Sequence, residues 1–154
     1  MASSPPETFP NQGAQPWAGA ELIASLPARI DAEALRGLVD DVVGIVGGDE
    51  DAAFDLRVCL AELHGNALRH GGGATRVQVW RLPGGDRLLV AVGDRCTAPP
   101  VRDVEPGPDD EGGRGLMLVA ALSLAGGHVV HAAGKDVWFA VAIPGGHREH
   151  ATGP

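Results

Sequence analysis

Three polar residues, Glu62, Asn66 and His70, follow one another at intervals of four in the first half of the chain. In an α-helix this spacing places their side chains in one stripe. The amide oxygen of Asn66 suits a Mg²⁺ ion that phosphates already hold, and the carboxylate of Glu62 can accept a proton from a nucleophile. A solvated helix face is the plainer interpretation. Gly65 weighs against it, because a glycine inside a helix costs roughly 1 kcal/mol relative to alanine, which makes sense if something must approach the helix closely.

An acidic residue closes the apolar run Val90-Ala91-Val92-Gly93-Asp94. Adenine presents an exocyclic amine, and a buried carboxylate can accept that donor while leaving the carbonyl of guanine unmatched. Taken alone, an aspartate after a strand is more often the start of a turn. Asp94 is therefore a candidate for recognising adenine only when it is considered together with the other motifs.

A glycine-rich segment precedes a predicted helix and reads Glu111-Gly112-Gly113-Arg114-Gly115-Leu116. Free backbone amides and the positive end of a helix dipole can hold phosphate at such a place. Glycine permits close approach of the backbone, and Arg114 adds a forked hydrogen-bond donor. A flexible loop would produce the same composition. The chain has neither the phosphate-loop motif that ends in Gly-Lys-Ser/Thr nor the strand-linked Gly-x-Gly-x-x-Gly of dinucleotide sites.

Two amphipathic helices are predicted in the first half of the chain, and the second carries the polar stripe. The first covers Ala28–Val46, and the second begins near Asp49 or Asp51 and ends at about His70. Apolar residues at steps of three and four predict their buried faces. These residues are Leu35, Leu38, Val42 and Ile45 in the first helix, and Phe54, Val58, Ala61 and Leu68 in the second.

Strands are predicted where apolar residues alternate between turn signals. They are a short strand within 17–26, a hairpin of Thr75–Leu82 and Arg87–Val92, and a pair, His128–Ala132 and Val137–Ile143, with its turn at Gly134-Lys135-Asp136. Residues 94–114 are predicted as a long loop, followed by a short helix over Leu116–Leu124. Helices segregated from hairpins predict an α+β two-layer sandwich, with a mostly antiparallel mixed sheet and the helices on one face.

Length and composition limit the classes of protein to consider. The 154 residues fit one domain, predicted at 17–145 between flexible segments at 1–16 and 146–154. A net charge of −8 with a single lysine argues against nucleic acid as a partner. Neither a long apolar run nor a basic leader is present, which predicts a cytoplasmic protein without a membrane segment. Cys59 and Cys96 are predicted to be reduced structural thiols.

Taken together, the motifs resemble those of the GHKL (histidine-kinase-like) ATPases over about Leu26 to Ile143. They are most similar to the stand-alone bacterial branch that includes the anti-sigma-factor serine kinases. Leu60 to His70 resembles the helix motif of that branch, in which Asn follows Glu by four residues and His comes next. Three further segments resemble the adenine box, the lid and phosphate segment and the closing hairpin: Val92-Gly93-Asp94 with Pro99-Pro100, Gly112-Gly113-Arg114-Gly115-Leu116, and Gly134-Lys135-Asp136-Val137-Trp138.

The resemblance implies a Bergerat-type ATP-binding fold with ATP and Mg²⁺ as cofactors. It also implies that Asn66 holds Mg²⁺, that Glu62 acts as the general base and that Asp94 reads the adenine amine. The amides around Gly113 and Gly115 would cradle the phosphates. The remaining residues implied in nucleotide binding are His70, Gly112, Arg114 and Leu116.

Two functions remain open. The resemblance implies a serine/threonine protein kinase that phosphorylates an anti-sigma-factor antagonist and alternately sequesters a sigma factor, with a homodimer left open. The alternative is a binding module that needs ATP only to hold a shape that its partner recognises. Glu62 favours the kinase, because a pure binder has no need of a base. The segment Arg95-Cys96-Thr97-Ala98, where the family often has glycines, favours the module.

Overall fold

The computed structural model describes residues 15–28, 30–100 and 111–143, with the backbone alone for 111–115. The elements are β1 (Glu21–Leu26), α1 (Ala32–Val46), α2 (Glu50–His70), β2 (Ala74–Arg81), β3 (Arg87–Asp94), α3 (Glu111–Leu122), β4 (Ala125–His131) and β5 (Gly134–Ala142). The strands form one five-stranded sheet in the order β1-β2-β3-β5-β4, and each neighbouring pair is antiparallel. The predicted α+β architecture is confirmed. The predicted flexible segments lie outside the described residues except for 15 and 16.

Aspartate caps start the two long helices. Asp31 accepts a hydrogen bond from the Ala34 N–H at 2.8 Å, and Asp49 accepts one from the Ala52 N–H at 2.9 Å. Each bond satisfies a backbone donor that the first turn of a helix leaves free. The first helix therefore begins at Ala32, four residues later than the predicted Ala28. The prediction of a second helix starting near Asp49 is confirmed.

The main core fills the space between the helices and one face of the sheet. The predicted apolar face of α2 is wrong, because Phe54 and Leu68 are 55% and 59% exposed. The opposite side of the helix is buried instead, since it carries the leucines Leu56, Leu60 and Leu63. Both sides satisfy the helical spacing, and the side with the larger apolar area packs against the sheet. Ile45 of α1 is likewise exposed, and Val46 is buried in its place.

The other face of the sheet carries all three tryptophans of the chain. Trp138 of β5 is buried and packs in a cluster that also contains Trp17, from the segment before β1. The rings of Trp17 and Trp80 stack with their centroids 6.2 Å apart. The segment around Trp17 thus covers part of a sheet face that would otherwise expose aromatic surface to water.

Two boundaries differ from prediction in ways that affect the candidate site. Helix α3 begins at Glu111, not at Leu116, so the glycine-rich segment forms the start of the helix and does not precede it. The turn between β4 and β5 lies at residues 132–133. Gly134-Lys135-Asp136, predicted as that turn, belongs to β5, with Lys135 and Asp136 both buried. Glycine, lysine and aspartate are depleted in strands, which is why composition points to a turn there.

Candidate functional site

Asn66 is a buried polar residue on α2, 3% exposed. Its Oδ1 atom has no hydrogen-bond partner among the described residues. A buried acceptor that loses its hydrogen bonds to water carries a desolvation penalty, so such an atom calls for a ligand. A hard cation is a suitable one, because amide oxygens are among the ligands that Mg²⁺ accepts.

Glu62 lies one turn before Asn66 on the same helix and is half-buried. Burial first, and then the charges of Asp55 and Glu62, raise the pKa of the Cys59 thiol to about 12. The thiol of Cys59 therefore stays protonated, whereas the carboxylate of Glu62 has proton-accepting chemistry.

The other residues of the predicted stripe separate from this pair. His70 is exposed at the end of α2. The close approach expected at Gly65 is made by the chain itself, since a Cβ at this position would lie 3.0 Å from Nη1 of Arg69. His64 turns toward α1, with Nε2 3.1 Å from the carbonyl oxygen of Ile30. Of the predicted stripe, Glu62 and Asn66 therefore remain as the two candidate residues of the site.

Asp94 ends β3 and is 2% exposed. Its Oδ1 accepts a hydrogen bond from the Cys96 N–H at 2.9 Å. This bond to the residue two positions on is an Asx turn, so the plainer interpretation of Asp94 as a turn residue also holds. The same side chain both shapes the turn and presents a buried carboxylate.

The end of α2 is fastened against Asp94. A Cβ at Gly71 would lie 2.6 Å from both Cγ and Oδ2 of Asp94, closer than side-chain carbons come. The Arg95 N–H donates to the Gly71 carbonyl at 2.8 Å, and Nη1 of Arg95 donates to the Gly72 carbonyl at 3.0 Å. Glycine at 71 therefore lets the helix that carries Asn66 contact the strand that carries Asp94.

Lys135 is the site residue that sequence reasoning missed. It is 2% exposed, and its Nζ lies 2.9 Å from Oδ2 and 3.2 Å from Oδ1 of Asp94. The ammonium also donates to the Cys96 carbonyl at 3.2 Å. Asp94 and Lys135 are direct cross-strand partners in the β3–β5 ladder. The available signal was the single lysine of the chain inside an apolar strand, but only the register shows its partner.

A second ion pair lies on the opposite face of the sheet at the next residue. Nη2 of Arg76 is 3.0 Å from Oδ2 of Asp136, and Nε2 of His131 is 3.6 Å from the same oxygen. Consecutive residues of a strand point to opposite faces, so this cluster is separate from Asp94 and Lys135. Gly93 makes room for it, because a Cβ there would lie 2.9 Å from Oδ1 of Asp136.

The glycine-rich segment is described as backbone only, in the first turns of α3. Gly112, Gly113 and Gly115 have no side chains, and the side chain of Arg114 lies outside the described part of the chain. Leu116 is buried in the main core, 1% exposed, so its side chain serves packing. Any role of the glycines in holding phosphate would fall to the backbone amides at the helix start, where the dipole favours anions.

Metal binding at this site would depend on the nucleotide. Among the residues the structure describes, no three His, Cys, Asp or Glu side chains come together to hold a metal ion. Asn66 offers one oxygen, and phosphate oxygens and water would have to supply the other ligands of Mg²⁺.

None of the described helices is long and apolar enough to cross a membrane.

Comparison with known proteins connects this geometry to a family. The family model of the histidine kinase-like ATPase domain matches residues 23–140. The match extends from β1 into β5 and includes Glu62, Asn66, Asp94 and Lys135. A search of curated proteins gives no match to the chain.

Replacing Gly71 by alanine should weaken ATP binding, because the new methyl group would displace the carboxylate of Asp94. Overpacking of this kind typically costs about 1–3 kcal/mol of stability. Calorimetric titration with ATP and thermal unfolding measure the two effects.

The matched control is Gly44→Ala in α1, where a Cβ would meet no atom within 4 Å. This variant should gain roughly 0.5–1 kcal/mol of stability and leave ATP binding unchanged. Equal ATP affinity in Gly71→Ala and wild type would contradict a role of Asp94 at the nucleotide.

Proposed function

Because the chain belongs to the histidine kinase-like ATPase domain family, we propose that it binds ATP with Mg²⁺ and phosphorylates a serine or threonine of a regulatory protein. The proposal rests most directly on the unpartnered, buried Oδ1 of Asn66, one helical turn from Glu62. The first residue offers a metal ligand and the second a base. A buried amide oxygen without a partner among the described residues is available to a metal ion.

In the proposed complex, Asp94 accepts a hydrogen bond from the exocyclic amine of adenine, and Asn66 contributes one oxygen to Mg²⁺. The metal, when bound, offsets the negative charge of the phosphates. The free amides of the first turn of α3, those of Gly112 and Gly113, hold the phosphates, whereas Gly115 lies far enough into the helix for its N–H to bond within it. These assignments agree with the described geometry in that Gly71 brings the end of α2 against Asp94.

Glu62 is proposed to take the proton from the hydroxyl of the substrate. As that oxygen bonds to the γ-phosphorus, the bond from the γ-phosphorus to the bridging oxygen breaks and ADP leaves. Charge develops mainly on the phosphate oxygens, so positioning of the hydroxyl contributes more than the strength of the base. The half-buried position of Glu62 is compatible with a protein substrate that approaches from the surface.

The proposed partners are an anti-sigma-factor antagonist as substrate and a sigma factor as the alternately bound protein, in a cytoplasmic partner-switching system. A homodimer would fit the same scheme. Nucleic acid is not proposed as a partner, because a net charge of −8 would repel its phosphates.

A second function is supported by one observation. The ammonium of Lys135 contacts both carboxylate oxygens of Asp94. Because adenine would need the same oxygens, this contact favours weak or conditional ATP binding. A module that binds ATP only to hold a partner-competent shape would tolerate such a site. The kinase and the module differ in whether Glu62 is needed.

Asn66→Ala should abolish the Mg²⁺ dependence of ATP affinity and leave the fold intact, since Oδ1 has no hydrogen-bond partner among the described residues. The expected loss is about tenfold or more, from the roughly 1.5–3 kcal/mol of a contact to a charged group. Calorimetry with and without Mg²⁺ measures it. Asn66→Asp is the control, because its carboxylate can still bind the metal, and unchanged metal dependence in Asn66→Ala would refute the assignment.

Glu62→Gln should keep ATP affinity and slow phosphate transfer by roughly 10²–10⁴-fold, because the amide retains the shape but cannot accept the proton. The measurement is transfer from γ-labelled ATP to a co-purified partner. Glu50→Gln, at the start of the same helix, controls for the lost charge.

The two functions give different results in this assay. The kinase requires transfer by the wild-type protein and by Glu50→Gln. If the wild-type protein transfers no phosphate, and ATP changes partner affinity equally with and without Glu62, the kinase is refuted and the binding module replaces it.

A further inference from the structure

The ammonium of Lys135 contacts both oxygens of Asp94 and the carbonyl of Cys96. It carries three N–H donors, and three acceptors lie within reach: Oδ1 and Oδ2 of Asp94 at 3.2 and 2.9 Å, and the Cys96 carbonyl at 3.2 Å. The hydrogen bonds to Asp94 and Cys96 hold the ammonium against the carboxylate.

The carboxylate of Asp94 is enclosed as well as neutralised. Its side chain is 1% exposed. Gly71 closes one side, at a distance that leaves no room for even a methyl group. The Cys96 N–H holds Oδ1, and Lys135 spans both oxygens. An adenine amine cannot come within hydrogen-bond distance of Asp94 while Lys135 keeps this position.

We infer that Lys135 is a built-in competitor for the base, whose ammonium must leave Asp94 before adenine can bind. The inference rests on the proposed function, because it concerns the same ATP site. It makes Lys135 the residue that sets nucleotide affinity. Binding then draws on the small fraction of molecules in which Lys135 has left Asp94, and the apparent affinity falls by that fraction.

The closed state is favoured by the cost of separating the pair. A buried carboxylate that loses its cationic partner retains an uncompensated charge, and the displaced ammonium must reach water. Adenine replaces the ammonium with a neutral amine, which satisfies the acceptor without balancing its charge. ATP must therefore contribute enough binding free energy elsewhere, through its phosphates and metal, to open the site.

The wild-type protein gives the first test, because Lys135 is the only lysine in the chain. Lysine labelled with ¹⁵N at the side chain yields one ammonium signal in the nuclear magnetic resonance spectrum. In the free protein we expect slow proton exchange, since the group is buried. Saturating ATP and Mg²⁺ should convert it to the fast exchange of an exposed ammonium. An unchanged signal, with ATP binding shown by calorimetry, overturns the inference and leaves the proposed function standing.

Variants give the second test. Lys135→Met and Lys135→Thr remove the ammonium and should bind ATP at least about tenfold more tightly than wild type. The gain should be absent for inosine triphosphate, which carries a carbonyl in place of the amine. Arg87→Met, at the far end of β3, removes an exposed positive charge and should weaken both nucleotides slightly or not at all. Thermal unfolding identifies any variant that fails to fold, and the signal of the wild-type lysine decides the question in that case.

The outcomes separate the two claims. If either folded variant binds ATP more tightly than wild type, without a gain for inosine triphosphate, the result supports Lys135 as a competitor of adenine. Equal or weaker ATP binding in folded variants overturns it, and shows that Lys135 is structural or contacts the nucleotide. If neither the wild-type protein nor any variant binds ATP, the proposed function fails, and the inference fails with it.

Discussion

The buried ion pair between Asp94 and Lys135 is the interaction on which the site depends. An unpaired charge at this depth would cost several kcal/mol, so each residue requires the other. Their neighbours are arranged to hold them. Both backbone groups of Cys96 take part, the N–H donating to Asp94 and the carbonyl accepting from Lys135. Glycine is required at 134, because a Cβ there would overlap the carbonyl oxygen of Asp94. The strand ends and the turn after β3 are thus organised around one pair of charges.

The position of α2 follows from this arrangement. Gly71 contacts the side chain of Asp94, and Arg95 fixes the carbonyls of Gly71 and Gly72. Asn66 lies a little more than one turn before Gly71, so its orientation is set by the same contacts. The glycines at 71 and 72 therefore position Asn66, the proposed metal ligand, relative to Asp94, the carboxylate proposed to bind adenine. On the opposite face of the sheet, the Arg76–Asp136 pair and the tryptophan cluster brace the same strands without entering the site.

Much of the fold could be predicted from local signals. Asp49, the hairpin turn before Arg87 and the spacing of Glu62 and Asn66 each act over a few residues, where propensity and hydrogen bonding decide the outcome. The buried face of α2 could not be decided in this way, since two apolar stripes satisfied the same period. Lys135 was out of reach for a different reason. Its role depends on the register between two strands that are 41 residues apart in sequence. The composition of its own segment, Gly134-Lys135-Asp136, indicates a turn instead.

The most direct measurement is a crystal structure of the full chain with Mg²⁺ and an ATP analogue that cannot be hydrolysed. We expect the adenine amine within about 3 Å of a carboxylate oxygen of Asp94, and the metal bound to Oδ1 of Asn66. We also expect the ammonium of Lys135 to have moved away from Asp94. A nucleotide bound elsewhere, or Asn66 without a metal while Lys135 remains on Asp94, would refute the proposed site.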